Sequence, residues 1–118
     1  MKYLLGIDIG TSGTKVLLIN AARGGEVAAS STRTYPLYTP KPQWAEQEPE
    51  DWWQATVAAV RDVLETSGVN PKSIKGIGLS GQMHGSVFLD ADNQVIRPAI
   101  LWCDQRTQAE CDWITDLV

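Results

Sequence analysis

The chain has 118 residues, 43% of them hydrophobic, and a formal net charge of −4. That is enough chain for one small folded unit, and it lacks the basic field needed to bind nucleic acid or an anionic membrane surface without specificity. No apolar stretch is long enough to span a bilayer, and Asp8 interrupts the opening MKYLLGIDIG too early for a secretory leader, so a mature cytoplasmic protein is expected.

Tyr3 to Ile9 is a short apolar run, followed by Gly10-Thr-Ser-Gly13 and then by Lys15 to Ile19. Two strands joined by a tight glycine turn fit this pattern. Apolar residues at consecutive positions predict strands covered on both faces by helices. Gly24-Gly25 signals a second turn, and Glu26 to Tyr35 reads as a third, more polar strand near a sheet edge. The chain therefore opens as a three-strand meander.

Pro36 to Pro49 is a proline-rich connection that excludes a helix interior. A helix is predicted from about Pro49 to Ser67. Proline suits its first turn, Glu50 and Asp51 suit the positive end of its dipole, and Gly68 suits its stop. Trp53, Val57, Val60, Val63 and Leu64 recur at helical spacing and predict its buried face. Ile74 to Ser80 reads as a fourth strand. Ser86–Leu89 and Gln94–Ile96 flank a polar tip as a small hairpin, Ala99 to Trp102 is extended, and Arg106 to Val118 begins a helix. No helix stop precedes Val118, and five tryptophans are much apolar surface for one small unit, which is the pattern of a piece of a longer protein.

Cys103 and Cys111 form no Cys-x-x-Cys, and the only histidine, His84, lies far upstream. A zinc site needs about four clustered ligands, so buried free thiols in a reducing compartment are expected instead.

The segment Gly6 to Lys15 carries the most chemistry. It has neither the spacing of a P-loop nor that of a dinucleotide fingerprint, and a strand follows it rather than a helix. A hairpin tip of small residues can still gather backbone N–H groups into an anion nest. Gly10, Thr11, Ser12, Gly13 and Thr14 supply that tip, the hydroxyls add donors, and Lys15 adds positive charge. Asp8 is placed to hold Mg²⁺ through water, since that ion favours one or two carboxylates plus phosphates. The plainer reading is an ordinary turn whose N–H groups bond to Asp8.

His84 lies in Leu79-Ser-Gly-Gln-Met-His-Gly-Ser-Val87. Ser80 and His84 are close, but a nucleophile elbow needs G-x-S-x-G and Gln82 stands at its last position. A lone histidine without paired carboxylates is a poor metal site. Its intrinsic pKa suits a base, although phosphoryl transfer depends more on positioning and charge neutralisation. A contact to a ligand and a histidine that fills a turn both stay open. Asp104 can accept from hydroxyls. Arg106 can donate to them, or simply pair with Asp104.

The run Asp8-x-Gly-Thr-Ser-Gly-Thr-Lys15 between two strands resembles the first phosphate motif of the actin/hexokinase/Hsp70 ATPase superfamily. Trp44-Ala-Glu-Gln-x-Pro49-x-x-Trp-Trp53, Gly78-Leu-Ser-Gly-Gln-Met-His-Gly85 and Leu101-Trp-x-Asp-x-Arg106 resemble the FGGY carbohydrate kinases, and within them the branch acting on ketopentoses. A glycerol-phosphorylating member is expected to show Arg-Glu where Met83-His84 stand. The resemblance covers nearly the whole chain in order.

The resemblance implies an α/β, ribonuclease-H-like fold: a mixed sheet opening with an antiparallel meander, helices on its faces, and here only part of the domain. Residues 1–118 would be the N-terminal part of the first kinase domain, with the rest of that domain and a second domain outside this chain. It implies ATP and Mg²⁺ as cofactors and transfer of phosphate to a ketopentose, D-xylulose first. Other sugars or polyols (ribulose, gluconate, glycerol) and a non-catalytic nucleotide-binding module are the alternatives. The hairpin from Gly10 to Lys15 would hold phosphates, with Asp8 orienting the metal. Gln82, Met83, His84, Asp104 and Arg106 would hold the sugar. The general base would be an aspartate beyond residue 118, so the fragment alone is expected to lack kinase activity. A homodimer of the full-length protein is compatible with the resemblance.

Overall fold

The computed structural model describes residues 1–118. In chain order its elements are β1 (Tyr3–Ile9), β2 (Gly13–Asn20), β3 (Glu26–Thr34), β4 (Glu46–Gln47), α1 (Pro49–Ser67), β5 (Ile74–Gly81), β6 (Ala99–Ile100) and α2 (Gln108–Leu117). They divide into two compact units, Met1–Pro36 with Glu50–Gln82, and Leu37–Pro49 with Met83–Val118. No helix is long and apolar enough to cross a membrane.

The first unit is a four-stranded mixed sheet of order β3-β2-β1-β5. β1, β2 and β3 form the expected antiparallel meander, with β3 at the edge, and β5 returns parallel to β1. That return needs a crossover, which α1 provides. The α1 boundaries agree with the sequence expectation, and Gly68 ends the helix with a φ of 67° while its N–H donates to the Leu64 carbonyl at 3.0 Å. A left-handed residue at this point suits glycine because it has no Cβ to clash.

Period-two alternation sends Leu5, Ile7, Val16, Leu18 and Ala29 to the helix side of the sheet, where they meet Ala59 and Val63. Val16, Leu18 and Val63 are completely buried, and each such side chain contributes roughly 1.5–3 kcal/mol. The helix face agrees with the expected one in part: Val63 is fully buried and Val60 packs against the core. Ala55, Ala59 and Val63, spaced by four, lie innermost with Thr56, whereas Trp53 is 62% exposed. Two alanines let the helix axis come close to the sheet, and the bulky Trp53 rotates outward. Ser31 and Arg33 of β3 both donate to the Asp62 carboxylate on α1 at 2.7 Å and hold it well down, at about 2.

The expectation of helices on both faces is not met within the first unit. There α1 covers one face of the sheet, and Leu4 on the opposite face is exposed, as are Ile77 and Leu79 on β5.

The second unit is built on the antiparallel ribbon β4–β6, which pairs Glu46 with Ile100 and Gln47 with Ala99. Single bridges extend it on both sides, Tyr38 to Glu46 and Ser86 to Ile100. The strand β4 was hidden in the proline-rich connection. Glu46 and Gln47 are charged or polar, yet both are buried. The expected small hairpin is present: Leu89 bridges Val95, and the Asp90 carboxylate accepts the Asp92 and Gln94 N–H groups. Cys103 and Cys111 are free, but Cys111 is exposed, which corrects the expectation that both thiols are buried. It lies on α2, none of whose residues is buried.

Candidate functional site

In the first unit, the hairpin between β1 and β2 is closed by Gly10 N–H donating to the Gly13 carbonyl at 3.0 Å. Gly13 of this hairpin and Gly81 of β5 are sterically required. A Cβ on Gly13 would lie 2.5 Å from the Arg33 carbonyl of β3, and one on Gly81 would lie 2.9 Å from the Ile9 carbonyl. The tip is therefore held tightly between its neighbours.

Asp8, Lys15 and Ser80 are register partners on three adjacent strands. Together with Gly6 and Gly78, which are also register partners, they line a shallow groove of about 390 Å³. The two glycines add no side chains to its floor, which Leu17 flanks in register with Gly6. Asp8 is exposed. A hard oxygen donor next to a lysine at the mouth of a backbone turn fits a magnesium ion that keeps most of its waters and shares phosphate oxygens. Ser80, excluded as a nucleophile by its sequence context, joins this groove through its register with Asp8.

Two residues of the expected phosphate and sugar sets sit elsewhere. The Thr14 side chain is completely buried on the helix side of the sheet, 3.3 Å from the Thr56 hydroxyl, so it adds no donor to the anion nest. Strand alternation explains this: with Asp8 and Lys15 on one face, their neighbour Thr14 must point to the other. Gln82 had been grouped with the sugar contacts. Its backbone N–H donates to the Ile9 carbonyl at 2.9 Å and its side-chain amide to the Gly10 carbonyl at 3.4 Å, while it accepts from the Thr11 hydroxyl at 3.3 Å. It is a brace of the hairpin.

In the second unit, Met83 is 70% exposed and His84 is exposed with a φ of 64°. A left-handed histidine is uncommon and carries a conformational cost of order 1 kcal/mol. Its loop is fixed by Ser86, which exchanges two backbone hydrogen bonds with Ile100 at 2.8 and 3.1 Å. The loop thus leaves the imidazole exposed in a costly backbone conformation, two residues before the bridge at Ser86.

Asp104 and Arg106 do not behave as the sequence reading expected. The Asp104 carboxylate accepts from the Ala45 N–H at 2.7 Å, from the Arg106 N–H at 2.9 Å and from the Arg106 guanidinium at 2.7–2.9 Å. Its side chain is 2% exposed. Arg106, 10% exposed, also donates to Glu46 at 2.8 Å and lies 3.7 Å from the centre of the Trp44 ring. The Arg106 hydrogen bonds hold the Asp104 carboxyl down at about 2 against its burial, and those to Asp104 push the guanidinium up. Both polar heads are consumed internally, so neither reaches out to a sugar. Arg97 completes the cluster with a 2.6 Å bond to Glu46.

Sequence reasoning missed Tyr35 and Glu46. Tyr35 donates its hydroxyl to the Gly10 carbonyl and its N–H to the Ser12 carbonyl, the latter at 3.3 Å. The signal was available: continuing the β2–β3 register one step past Gly13–Thr34 brings Tyr35 level with Ser12. Glu46 had no such signal, because a glutamate in a polar loop reads as exposed.

Residues 3–118 match the N-terminal domain of the FGGY family of carbohydrate kinases. The chain is 48% identical over 116 residues to a xylulose kinase of Bacillus subtilis (strain 168), covering 98% of this chain and 23% of that protein. It thus spans about a quarter of the length of such relatives. Among solved structures it is similar to the xylulose kinase of Rhodospirillum rubrum (TM-score 0.88, 28% identity, 99% of this chain and 24% of that one). It is equally similar to the gluconate kinase of Lactobacillus acidophilus (TM-score 0.87, 28% identity, 98% and 23%). These likenesses bear out the expected α/β kinase fold, present here in part. With the motifs in order along both units, the chain belongs to the FGGY family of carbohydrate kinases.

Proposed function

We propose that the full-length protein, of which residues 1–118 form the N-terminal part of the first kinase domain, is a cytoplasmic enzyme that phosphorylates a ketopentose, D-xylulose first. The phosphate would pass from the γ position of ATP to a primary hydroxyl of the sugar. The observation that carries this reading is His84, exposed and in a left-handed conformation beside an exposed Met83, in a chain so similar to xylulose kinases.

In this reading the backbone of Gly10 to Gly13 and the Lys15 ammonium bind the phosphates, and Asp8 orients the hydrated metal. Asp8 would hold a magnesium ion through water, and that ion would supply neutralisation of the phosphate charge. His84 donates to or accepts from a sugar oxygen, and Met83 supplies an apolar wall. Gln82 and Tyr35 keep the hairpin in shape. Asp104, Arg106 and Glu46 keep the second unit in shape. The proton of the attacking hydroxyl goes to a base outside these residues. Phosphoryl transfer of this kind rests on alignment and charge stabilisation.

A second reading, a kinase for gluconate, draws on the equal likeness to the gluconate kinase fold, since fold alone does not separate substrates. A coupled assay of the full-length enzyme with ATP and a panel of D-xylulose, ribulose, gluconate and glycerol tests the choice. D-xylulose should give the highest kcat/KM; a higher value for gluconate would replace the first reading with the second. The 118-residue fragment alone should show no turnover of xylulose and ATP.

A further inference from the structure

Two strands joined by a two-residue tip, here Thr11-Ser12, ordinarily close with a reciprocal pair of backbone bonds between the flanking residues. In this hairpin only one of the two is made. Gly10 N–H donates to the Gly13 carbonyl at 3.0 Å, but the return bond from Gly13 N–H to the Gly10 carbonyl is absent. The Gly10 carbonyl instead accepts the Tyr35 hydroxyl, with the Gln82 side-chain amide as a longer second donor at 3.4 Å.

Tyr35 is well placed for this. It follows β3 directly, is 9% exposed, and is anchored by its own N–H donating to the Ser12 carbonyl at 3.3 Å. The Ser12–Gly13 peptide is planar and trans, so a Ser12 carbonyl fixed toward Tyr35 aims the Gly13 N–H to the β1 side of β2, where the Gly10 carbonyl is already taken by the Tyr35 hydroxyl. Gly13 cannot relax toward β3, because even a Cβ would meet the Arg33 carbonyl. Burial pushes the Tyr35 phenol up from its ordinary value, so it remains a donor throughout the neutral range.

We infer that Tyr35 is a positioning residue of the phosphate-binding hairpin: its hydroxyl takes the acceptor that the turn would otherwise satisfy with Gly13 N–H, and so leaves that N–H for a phosphate oxygen. The inference rests on the kinase reading above, in which this hairpin holds the phosphates of ATP. It also gives Gln82 a role, as the second donor to the same carbonyl.

The test is Tyr35→Phe in the full-length enzyme, which removes one oxygen and keeps the ring in its packing. The expected result is a KM for ATP raised about fivefold, the factor carried by one hydrogen bond of about 1 kcal/mol, with the KM for the sugar and the melting temperature unchanged. Hydrogen exchange supplies a second readout without substrate. In the variant the Gly13 N–H should close onto the Gly10 carbonyl and exchange more slowly than in wild type. A wild-type enzyme that phosphorylates sugar with ATP, beside a Tyr35→Phe variant that matches it in ATP KM and Gly13 exchange, overturns the inference and leaves the kinase reading intact. Parallel losses in both KM values and in melting temperature also overturn it, since they mark a merely structural residue. A wild-type enzyme without ATP-dependent turnover overturns both.

Discussion

Arg106 and Glu46 lie sixty residues apart in sequence and 2.8 Å apart in space, with both side chains almost wholly buried. The same guanidinium grips Asp104 and lies against Trp44, so one residue ties the loop before β4 to the loop after β6. Arg106→Lys keeps the charge but loses the planar fork and the stacking. It should destabilise the enzyme by about 2 kcal/mol, because buried carboxylates are left short of donors. Thermal melts of the full-length enzyme measure it, and the KM for ATP should not move.

Acid should release the same cluster. The Asp104 carboxyl is held at about 2, below its ordinary value of about 3.9. A carboxylate with a lowered pKa in the folded state contributes stability above its unfolded value and loses it as pH falls toward the folded one. Protection of the Ala45 N–H, which donates to Asp104, should hold above pH about 4 and fade toward pH about 2. Asp104→Asn should lower that protection at neutral pH and match wild type at the acid end. Hydrogen exchange of the 43–48 segment, corrected for intrinsic rates, reads both.

Gly13→Ala places a methyl 2.5 Å from a backbone carbonyl that has no flexible end to move aside. Such overpacking costs on the order of 1–3 kcal/mol. The variant should melt lower than wild type and lose ATP affinity, because the strand shift distorts the hairpin itself.

For His84 the backbone and the side chain make opposite demands. His84→Gly removes the Cβ from a left-handed position, so it should be more stable than His84→Ala by about 1 kcal/mol. Both variants should bind sugar poorly, since both lack the imidazole. Paired melting curves with sugar titrations separate the two effects.

Much of the first unit was legible in the sequence. The Gly10–Gly13 turn, the polar edge strand and the capped helix Pro49–Ser67 each announce themselves through local chemistry, and the structure follows them closely. The errors arose where a residue's role depends on distant partners. Asp104 and Arg106 sit in a sequence that looks like a sugar pocket, but Glu46 and the Ala45 N–H, supplied by a strand too short to show a period, draw them inward. Thr14 belongs to the phosphate motif as a string, yet alternation turns it to the helix. Trp53 fits the helical spacing, yet the alanines beside it are what let the helix approach. Met83 and His84 lie in an exposed loop, where few tertiary contacts bear on them.

In the proposed reading two stretches of this chain serve different substrates, Asp8 and its hairpin the phosphates and His84 the sugar. Steady-state kinetics of Asp8→Asn and His84→Ala in the full-length enzyme test it most directly. Asp8→Asn should lower kcat by at least about tenfold, on the order of 1.4 kcal/mol of transition-state stabilisation, and leave the KM for D-xylulose near wild type. His84→Ala should raise the KM for D-xylulose by about fivefold or more, a lost hydrogen bond's worth, and leave the KM for ATP unchanged. Equal effects of either substitution on both substrates would contradict the account.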